Sequence, residues 1–360
     1  MSTLAMPSIN IAFQQAASTA LARSQKGTVA LILRDAALAD KTYTLTAPSQ
    51  IPSEMGTANQ AAVRRAFLGY EKPPKKVLLY ITGAEDVIAA GCAALNWLAT
   101  QQFDYLAGPA DLTATEAGVI KTWIVTQRSD NHAVYKAVLP GLAADSEAIV
   151  NFAAGGIDIG ETEKLTAAAY CGRMAGLLAG TPMRISATFA PLPEVRDVDR
   201  LTEAALDAAV GNGQMVLFWD GEKVKTGRAV NSLTTITGKS DKWKKIKIVE
   251  LLDIVQHDLR LAIDDNYIGK MANTYENKLL LVTAITDYLR SLARDGLILD
   301  NFTCGIDVDA QQAWLEENGT PTVDMNEQEI KEAGTDTNVF LMVAISPVDA
   351  IEDVTVVIRL

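Results

Sequence analysis

The first half of the chain alternates short apolar runs with longer stretches of helical periodicity. The apolar runs, which are typical of buried strands, are 29–33, 77–81, 103–106, 134–138 and 149–152. The stretches that place apolar residues on one helical face are 85–100, a segment from 115 onward, and 162–178. Strands and helices that alternate at this spacing predict an α/β domain with parallel strand pairing.

The pattern changes after the proline-containing stretch 191–199, which we interpret as a linker. An apolar run at 215–219 leads into Asp220-Gly221, and this dipeptide before a second strand-like run at 223–229 predicts a β-hairpin. The elements predicted after it are long amphipathic helices at 242–264 and 274–294, a strand at 302–308, and surface helices at 309–318 and 326–333. The second half is therefore predicted to be an α+β domain.

Two further strands, 339–345 and 354–360, are predicted at the end of the sequence, and no polar stretch follows the second. A strand at a sheet edge offers unpaired N–H and C=O groups to other chains unless something covers it. The pattern leaves two alternatives open. Residues 354–360 lie within the chain's own sheet, for instance folded back on 339–345, or they pair with another chain.

Another extended segment is predicted near the start of the sequence. Ile9, Ile11 and Phe13 alternate with Asn10 and Ala12, which is the period of a strand, and the run stands apart from the strands that follow. We therefore divide the chain into an N-terminal arm (1–24), an α/β domain (25–192), an α+β domain (193–352) and a C-terminal arm strand (353–360).

Composition and charge narrow the class of protein. A chain of 360 residues is long enough for more than one domain, and 49% hydrophobic with 21% charged residues is ordinary for a globular protein. The net charge of −12 disfavours nonspecific nucleic-acid binding, which needs a basic surface. No secretory signal and no membrane span are predicted, and the three widely spaced cysteines fit no zinc pattern.

No nucleotide-binding or nucleophile motif accompanies the predicted strands. The glycine-rich stretch 153–160 lacks the spacing of a dinucleotide-binding loop, and 175–182 lacks the lysine of a P-loop. We interpret the first as a turn and the second as a site of close helix packing followed by a helix end. No catalytic residue and no cofactor are predicted, although an α/β nucleotide- or metabolite-binding enzyme stays open as the alternative.

The histidines and the paired aspartates are weak candidates for a site. His257 follows Asp253 by one helical turn, which favours an ion pair on a helix surface, and His132 lies in a predicted loop. The aspartates at 264–265 and at 307 and 309 have no further ligands at a fixed spacing. A helix end and a turn explain them, and no metal site is predicted.

Two clusters of opposite charge lie in the second half. The basic cluster consists of Lys239, Lys242, Lys244, Lys245 and Lys247, and the acidic cluster of Glu316, Glu317, Asp324, Glu327, Glu329 and Glu332. Each is either a solvated face or a contact for an oppositely charged partner. Opposite poles on one subunit suit head-to-tail association, which can generate helical polymers.

Six segments carry a combined pattern that points to a family. They are 7–11 (PSINI), 173–182 (RMAGLLAGTP), 227–235 (GRAVNSLTT), 245–250 (KIKIVE), 264–270 (DDNYIGK) and 349–354 (DAIEDV). Together they resemble the contractile tail sheath proteins of phages and phage-tail-like particles. The resemblance covers nearly the whole chain and is nearest to the short sheaths of Gram-positive phages, prophages and bacteriocins.

The resemblance implies a structural protein without enzymatic activity. Sheath subunits of this family form hexameric rings that stack as a helical sheath around a tail tube, between baseplate and tail terminator proteins. Contraction drives the tube through the target cell envelope. The resemblance thus implies a homo-oligomer in a virion tail or phage-tail-like particle, made in the host cytoplasm, with no nucleic-acid partner and no membrane insertion.

The resemblance also implies how subunits connect. Arms of neighbouring subunits add strands to a third subunit, so the strand-exchange residues would be Ile9, Ile11, Phe13, Val354, Val356, Ile358 and Leu360. The α/β domain would face outward, and 193–352 would face the tube. Candidate contacts to the tube or to a neighbour are Lys242, Lys244, Lys245, Lys247, Glu316 and Glu317.

Overall fold

The computed structural model describes residues 27–162 and 164–359. The chain divides into two compact units, of which one comprises Gln25–Glu250 with Ala350–Leu360 and the other contains Leu251–Asp349. We call them the α/β unit and the inserted unit. The predicted arm residues Ile9, Ile11, Phe13 and Leu360 lie outside the described residues, as does the whole predicted arm 1–24.

A seven-stranded sheet forms the centre of the α/β unit. Its strands are β1 (Thr28–Arg34), β2 (Thr42–Leu45), β3 (Lys76–Thr82), β4 (Tyr105–Ala107), β5 (Lys136–Pro140), β6 (Ile149–Phe152) and β7 (Gln214–Met215). Their order across the sheet is β2-β3-β1-β4-β5-β6-β7. Only β2 runs antiparallel to its neighbour, so the predicted parallel α/β architecture is confirmed.

Helices cover both faces of this sheet. They are α1 (Thr57–Ala66), α2 (Ala93–Leu98), α3 (Ala114–Asp130) and α4 (Ala167–Ala179). Successive residues of β1 alternate between two cores: Leu31 packs with α1 and α4, whereas Ile32 packs with α2 and α3. Both faces of each central strand are buried, which explains why these strands read as continuous apolar runs.

One further α-helix and two further strands lie between residues 203 and 226 of the α/β unit. They are the helix α5 (Glu203–Gly211) and the strands β8 (Leu217–Trp219) and β9 (Val224–Thr226). The predicted Asp220-Gly221 hairpin is confirmed, because β8 and β9 pair antiparallel. The predicted continuous strand 215–219 is instead split into β7 and β8. The carbonyl of Val216 at the break accepts a hydrogen bond from the N–H of Gly227 (2.7 Å).

The structure differs from the sequence prediction in several places. The predicted helix 85–100 is only Ala93–Leu98, because 84–92 form turns that include Gly91 at a φ of 72°. Strand β2 and helices α1 and α5 were not predicted. The sheet also continues past the predicted boundary at residue 192, since β7 pairs with β6.

The inserted unit is mainly helical. Helix α6 (Ile246–Asn266) crosses the division between the units, and α7 (Tyr275–Arg294), α8 (Val308–Glu317) and α9 (Glu327–Glu332) follow it. Strands β10 (Thr303–Ile306) and β11 (Leu341–Ala344) form a two-stranded antiparallel sheet. The two predicted long helices are confirmed, and Thr274 caps the second by accepting a hydrogen bond from the N–H of Asn277. None of the described helices is long and apolar enough to span a membrane.

The inserted unit buries one lysine among neutral acceptors. The Lys278 side chain is 3% exposed. Its Nζ donates hydrogen bonds to Gln311 Oε1 and Thr335 Oγ1, both at 3.1 Å. In the described part of the chain no carboxylate forms an ion pair with it, and burial lowers the pKa of Lys278.

Lys278 should make the stability of this unit depend on pH in the alkaline range. Its folded-state pKa lies below the unfolded value of about 10.4, so the unfolded chain binds the extra proton between the two values, and the unit gains stability as pH rises through that window. Lys278→Met removes this gain. In urea unfolding, the difference in unfolding free energy between variant and wild type should therefore change between neutral pH and about pH 10. The change for Lys278→Met should exceed that for Lys242→Met, which alters an exposed lysine that forms no ion pair among the described residues. A difference for Lys278→Met that stays constant with pH would contradict the argument.

Candidate functional site

The crevice where an open α/β sheet binds ligands is filled by the chain's own charges. Such sites lie at the carboxyl ends of strands where the strand order reverses, here between β1 and β4. Arg34 ends β1 and pairs there with the buried Glu116 and with Asp111 (2.7 Å). Burial opposes the charge of Glu116, but backbone N–H donors of Ile88 and Thr113, together with Arg34, outweigh it and lower its pKa. This internal ion pair is a structural contact in the place of a ligand.

The glycine-rich loop 153–160 surrounds a carboxylate. A Cβ at Gly155 would lie 2.4 Å from Asp199 Oδ2, and one at Gly156 would lie 2.0 Å from Asp199 Oδ1. The loop is fixed by the N–H of Asp199, which donates to the carbonyl of Gly155 (3.0 Å). These glycines therefore allow close packing against an acidic side chain, and this environment disfavours a phosphate.

The weak metal candidates have structural roles. Asp307 caps α8 by accepting a hydrogen bond from the N–H of Ala310 (3.0 Å), and Asp264 lies 3.8 Å from Arg260 one helical turn away. His132 is exposed in a loop, as predicted, and Asp253 is a buried residue of α6. Within 27–162 and 164–359, no three histidine, cysteine or acidic side chains are grouped as a metal site.

Three of the segments that carry the family resemblance meet in one cluster of the α/β unit. Arg228 comes from 227–235, Lys245 from 245–250, and Glu352 from 349–354. The Glu352 side chain is only 5% exposed, and its Oε2 lies 3.1 Å from Lys245 Nζ and 3.9 Å from Arg228 Nε. These are ion-pair distances, since none of the described residues donates a well-aligned hydrogen bond to Oε2. The other oxygen, Oε1, accepts hydrogen bonds from the hydroxyls of Thr188 (2.6 Å) and Ser186 (3.1 Å).

We call this cluster the Glu352 anchor; it comprises Ser186, Thr188, Arg228, Lys245 and Glu352. A buried carboxylate is strongly unfavourable unless it is paired and hydrogen-bonded, and here both of its oxygens have partners. The neighbouring Asp353 also pairs with Arg228, but its side chain is 78% exposed, so that pair contributes little. The anchor therefore attaches the segment 350–353 to the α/β unit through a buried carboxylate.

The residues after the anchor are exposed and have no regular secondary structure. The exposed fractions are 72% for Val354, 74% for Val356 and 82% for Ile358. No residue of 354–359 forms a strand with any described residue, so the prediction that these residues form a strand within the chain's own sheet is wrong. The alternative of pairing with 339–345 is also wrong, because β11 pairs with β10 and with no residue of 354–359. A run of exposed apolar side chains marks a surface that binds another molecule.

The predicted basic cluster is not one exposed surface. Lys245 belongs to the Glu352 anchor, and Lys247 is only 9% exposed. Lys239 pairs with Glu147 and Lys244 with Asp241, both at 2.9 Å. Among the described partners none binds Lys242, which is exposed. The candidate contact therefore reduces to Lys242 and the outer parts of its paired neighbours.

The predicted acidic cluster lies on the surface of the inserted unit. Glu316 and Glu317 are exposed at the end of α8, and hydrogen bonds from Thr322 and Gln312 lower the pKa of Glu316. Glu327 pairs with Lys331 (2.5 Å), and Glu329 completes the N-terminal cap of α9 with Asn326. Several of these carboxylates thus stabilise helix ends while staying accessible to a partner.

Sequence reasoning missed the anchor as a site. Glu352 lies in a segment that carries the family resemblance, but its burial has no local signal because the flanking residues Ile351 and Asp353 are exposed. The hydroxyl donors Ser186 and Thr188 belong to no recognisable motif. An exposed apolar segment held at its base by a buried carboxylate is typical of a protein that assembles with other chains.

Comparisons with known proteins identify the family. Residues 238–360 match the phage tail sheath C-terminal domain. The chain is 34% identical over 362 residues to the tail sheath protein of Clostridium phage phiCD119, and the match covers 98% of both. It is 30% identical to the phage-like element PBSX protein XkdK of Bacillus subtilis, over 70% of this chain and 52% of that protein.

Solved structures share the fold at low sequence identity. A sheath tail protein from Listeria innocua has a TM-score of 0.70 at 16% identity, and the match covers 94% of this chain and 99% of that one. The helical sheath of the anti-feeding prophage in its contracted state has a TM-score of 0.68 at 15% identity, with 93% of each chain covered. The chain belongs to the tail sheath protein family. The predicted family and structural role are confirmed, and the enzyme alternative is not supported.

Proposed function

We propose that this chain polymerises as stacked hexameric rings around a tail tube and that the resulting sheath contracts to drive the tube through a cell envelope. The observation that carries the proposal is the exposed apolar segment 354–359, which has no strand partner among the described residues. Strand addition to another chain would satisfy its backbone hydrogen bonds and bury its side chains. The relative from the anti-feeding prophage is a helical sheath in its contracted state, which supports the same assembly here.

The inserted unit offers an acceptor for such a strand. Among the described residues β10 and β11 pair only with each other, so each has an edge free for a further strand. We propose that Val354, Val356, Ile358 and Leu360 of one subunit, and Ile9, Ile11 and Phe13 of another, add to this sheet in a third. The acceptor would then lie in the predicted tube-facing domain 193–352, and 25–192 would face outward.

Exposed charged side chains are the candidates for the contacts of the sheath that do not involve strand exchange. Lys242, Glu316 and Glu317 are exposed, and we propose them as contacts to the tube or to a neighbouring subunit. Lys244 contributes to the same surface through its half-buried side chain. Baseplate and tail terminator proteins would bind the two ends of the polymer, in a virion tail or phage-tail-like particle assembled in the host cytoplasm.

Electron microscopy tests the proposal directly. Negative-stain images of the concentrated protein should show striated hollow cylinders of repeating rings. The control is the same protein at a concentration below the polymerisation threshold, which should show single particles only. Compact particles of constant size at every concentration would contradict the proposal.

A further inference from the structure

We propose that Ser186, Thr188, Arg228 and Lys245 form a carboxylate-recognition site for Glu352, and that this site fixes the point from which the apolar segment 354–359 leaves the α/β unit. Glu352 is then a positioning residue for the segment that carries the proposed assembly function, on which this part of the inference rests. The recognition itself can be tested on the unassembled chain.

The donors are held in place without the segment that they bind. The hydroxyl of Thr226, which is 0% exposed, donates to the carbonyl of Ala187 (2.6 Å) and accepts from the N–H of Ala190 (2.8 Å). These two bonds fix the loop that carries Ser186 and Thr188. Phe189, which lies between Ala187 and Ala190, has a φ of 57°. This value is rare for an aromatic residue and persists only where surrounding contacts impose it.

The two cations are fixed by a separate set of contacts. Val230 and Lys245 form an isolated antiparallel bridge, and the N–H of Ile246 donates to the carbonyl of Ala229 (3.1 Å). This pairing brings the start of α6 beside the chain that follows β9, so that Lys245 and Arg228 reach the same carboxylate. A site whose donors are positioned in advance loses little entropy when its ligand binds.

The site divides its two kinds of donor between the two oxygens of one carboxylate. The hydroxyls of Ser186 and Thr188 donate to Oε1, and the cations lie beside Oε2. The hydroxyl of Thr188 also accepts from the N–H of Ala229 (3.0 Å), which orients its proton toward Glu352. This arrangement recognises a carboxylate on a peptide segment. It distinguishes the carboxylate from an amide, because an uncharged amide forms no ion pair with Lys245 and Arg228.

The position of the site matters for the segment that follows it. Only Asp353 separates Glu352 from Val354, where the exposed apolar run begins. A segment that is fixed at its base searches a smaller volume than a free one, which raises its effective concentration near an acceptor. Because the pairing of Glu352 is buried, salt should screen it much less than the exposed pair of Asp353 with Arg228.

A double-mutant cycle on the full-length chain tests the recognition. Glu352→Gln keeps an acceptor for the two hydroxyls and removes the charge, and Lys245→Met removes the nearer cation. The two changes should be coupled by at least about tenfold in the folding equilibrium constant, measured by urea unfolding. The matched control is Asp353→Asn, which changes the charge one residue further on and should show less than about threefold coupling to Lys245→Met. Equal coupling for Glu352 and Asp353 would overturn the assignment.

The mobility of the segment tests the positioning role. A nitroxide label on Thr355→Cys, in a chain that also carries Cys92→Ser and Cys304→Ser, reports on the exposed segment through its electron paramagnetic resonance spectrum. Cys171 need not be replaced, because burial raises the pKa of its thiol and keeps it unreactive. Glu352→Gln and Lys245→Met should each sharpen the spectrum of the label, whereas Asp353→Asn should leave it unchanged. A spectrum that none of the variants alters would overturn the positioning role.

The polymerisation threshold separates this inference from the proposed function. Glu352→Gln should raise the concentration needed for sheath formation, and Asp353→Asn should not. If the wild-type chain forms no sheath, the proposed function fails while the coupling and the spectra still decide on the anchor. If sheaths form at one threshold for all variants, the anchor does not position the segment for assembly.

Discussion

Deletion of residues 354–360 should leave a folded chain that no longer polymerises. The described residues of this segment are exposed and form no strand with the rest of the chain, so the unfolding free energy should change by less than about 0.5 kcal/mol. Sheath formation should be lost, because the donor of the proposed inter-subunit strand is absent. The measurements are urea unfolding for stability, and sedimentation with electron microscopy for assembly.

Substitution on one face of the segment refines this test. Side chains at alternate positions of a strand point to the same side, so Val354, Val356 and Ile358 form one set and Thr355 and Val357 the other. Serine at all three positions of the first set should prevent assembly, and serine at both positions of the second should weaken it less. Sheaths of normal length from the truncated chain would show that 354–360 are not the donor strand.

Gly176→Ala should be among the most destabilising single changes in the α/β unit. Gly176 lies in α4, and a Cβ there would be 1.9 Å from the carbonyl oxygen of Ala66 at the end of α1. The obstructing atoms belong to the backbone, so relief requires that α1 and α4 move apart. We expect the free energy of unfolding to fall by about 3 kcal/mol, near the upper end of overpacking effects.

A second glycine provides the matched control. Gly118 lies inside α3, and beyond the helix's own nearby backbone a Cβ there would meet no atom of the described residues within 4 Å. Gly118→Ala should therefore raise the unfolding free energy by about 0.5–1 kcal/mol, the usual gain from replacing glycine in a helix. Urea unfolding of both variants gives the comparison. Changes of the same sign at the two positions would contradict the packing seen between α1 and α4.

The elements that the sequence predicts well are those whose own residues are buried in a pattern. Strands such as β1 and β3 are buried on both faces, and the resulting apolar runs are visible without knowledge of the fold. The edge strand β2 has a single buried residue, Leu45, and carries no such run. Helix α5 has no buried residue at all, so it lacks the periodic apolar face that identifies a helix.

The segment 354–360 shows that β-propensity alone does not identify the partner of a strand. Its valines and isoleucine favour extended backbone, but a strand needs a partner that the described chain does not provide, and 354–359 have no regular secondary structure. The Glu352 anchor was beyond prediction for a different reason. Its ionic partners Arg228 and Lys245 are more than a hundred positions away in the sequence, and only the completed fold brings them together.

The division of the chain into units has a consequence for the exchange of parts between related proteins. Because Gln25–Glu250 and Ala350–Leu360 form one unit, Leu251–Asp349 is an insertion whose two ends both return to the same host fold. Such an insertion can be replaced by that of a relative while the α/β unit keeps its core and all residues of the Glu352 anchor. The first junction lies inside α6, however, so a graft must continue that helix without a change of length. One added residue would rotate everything beyond the junction by about 100° around the helix axis.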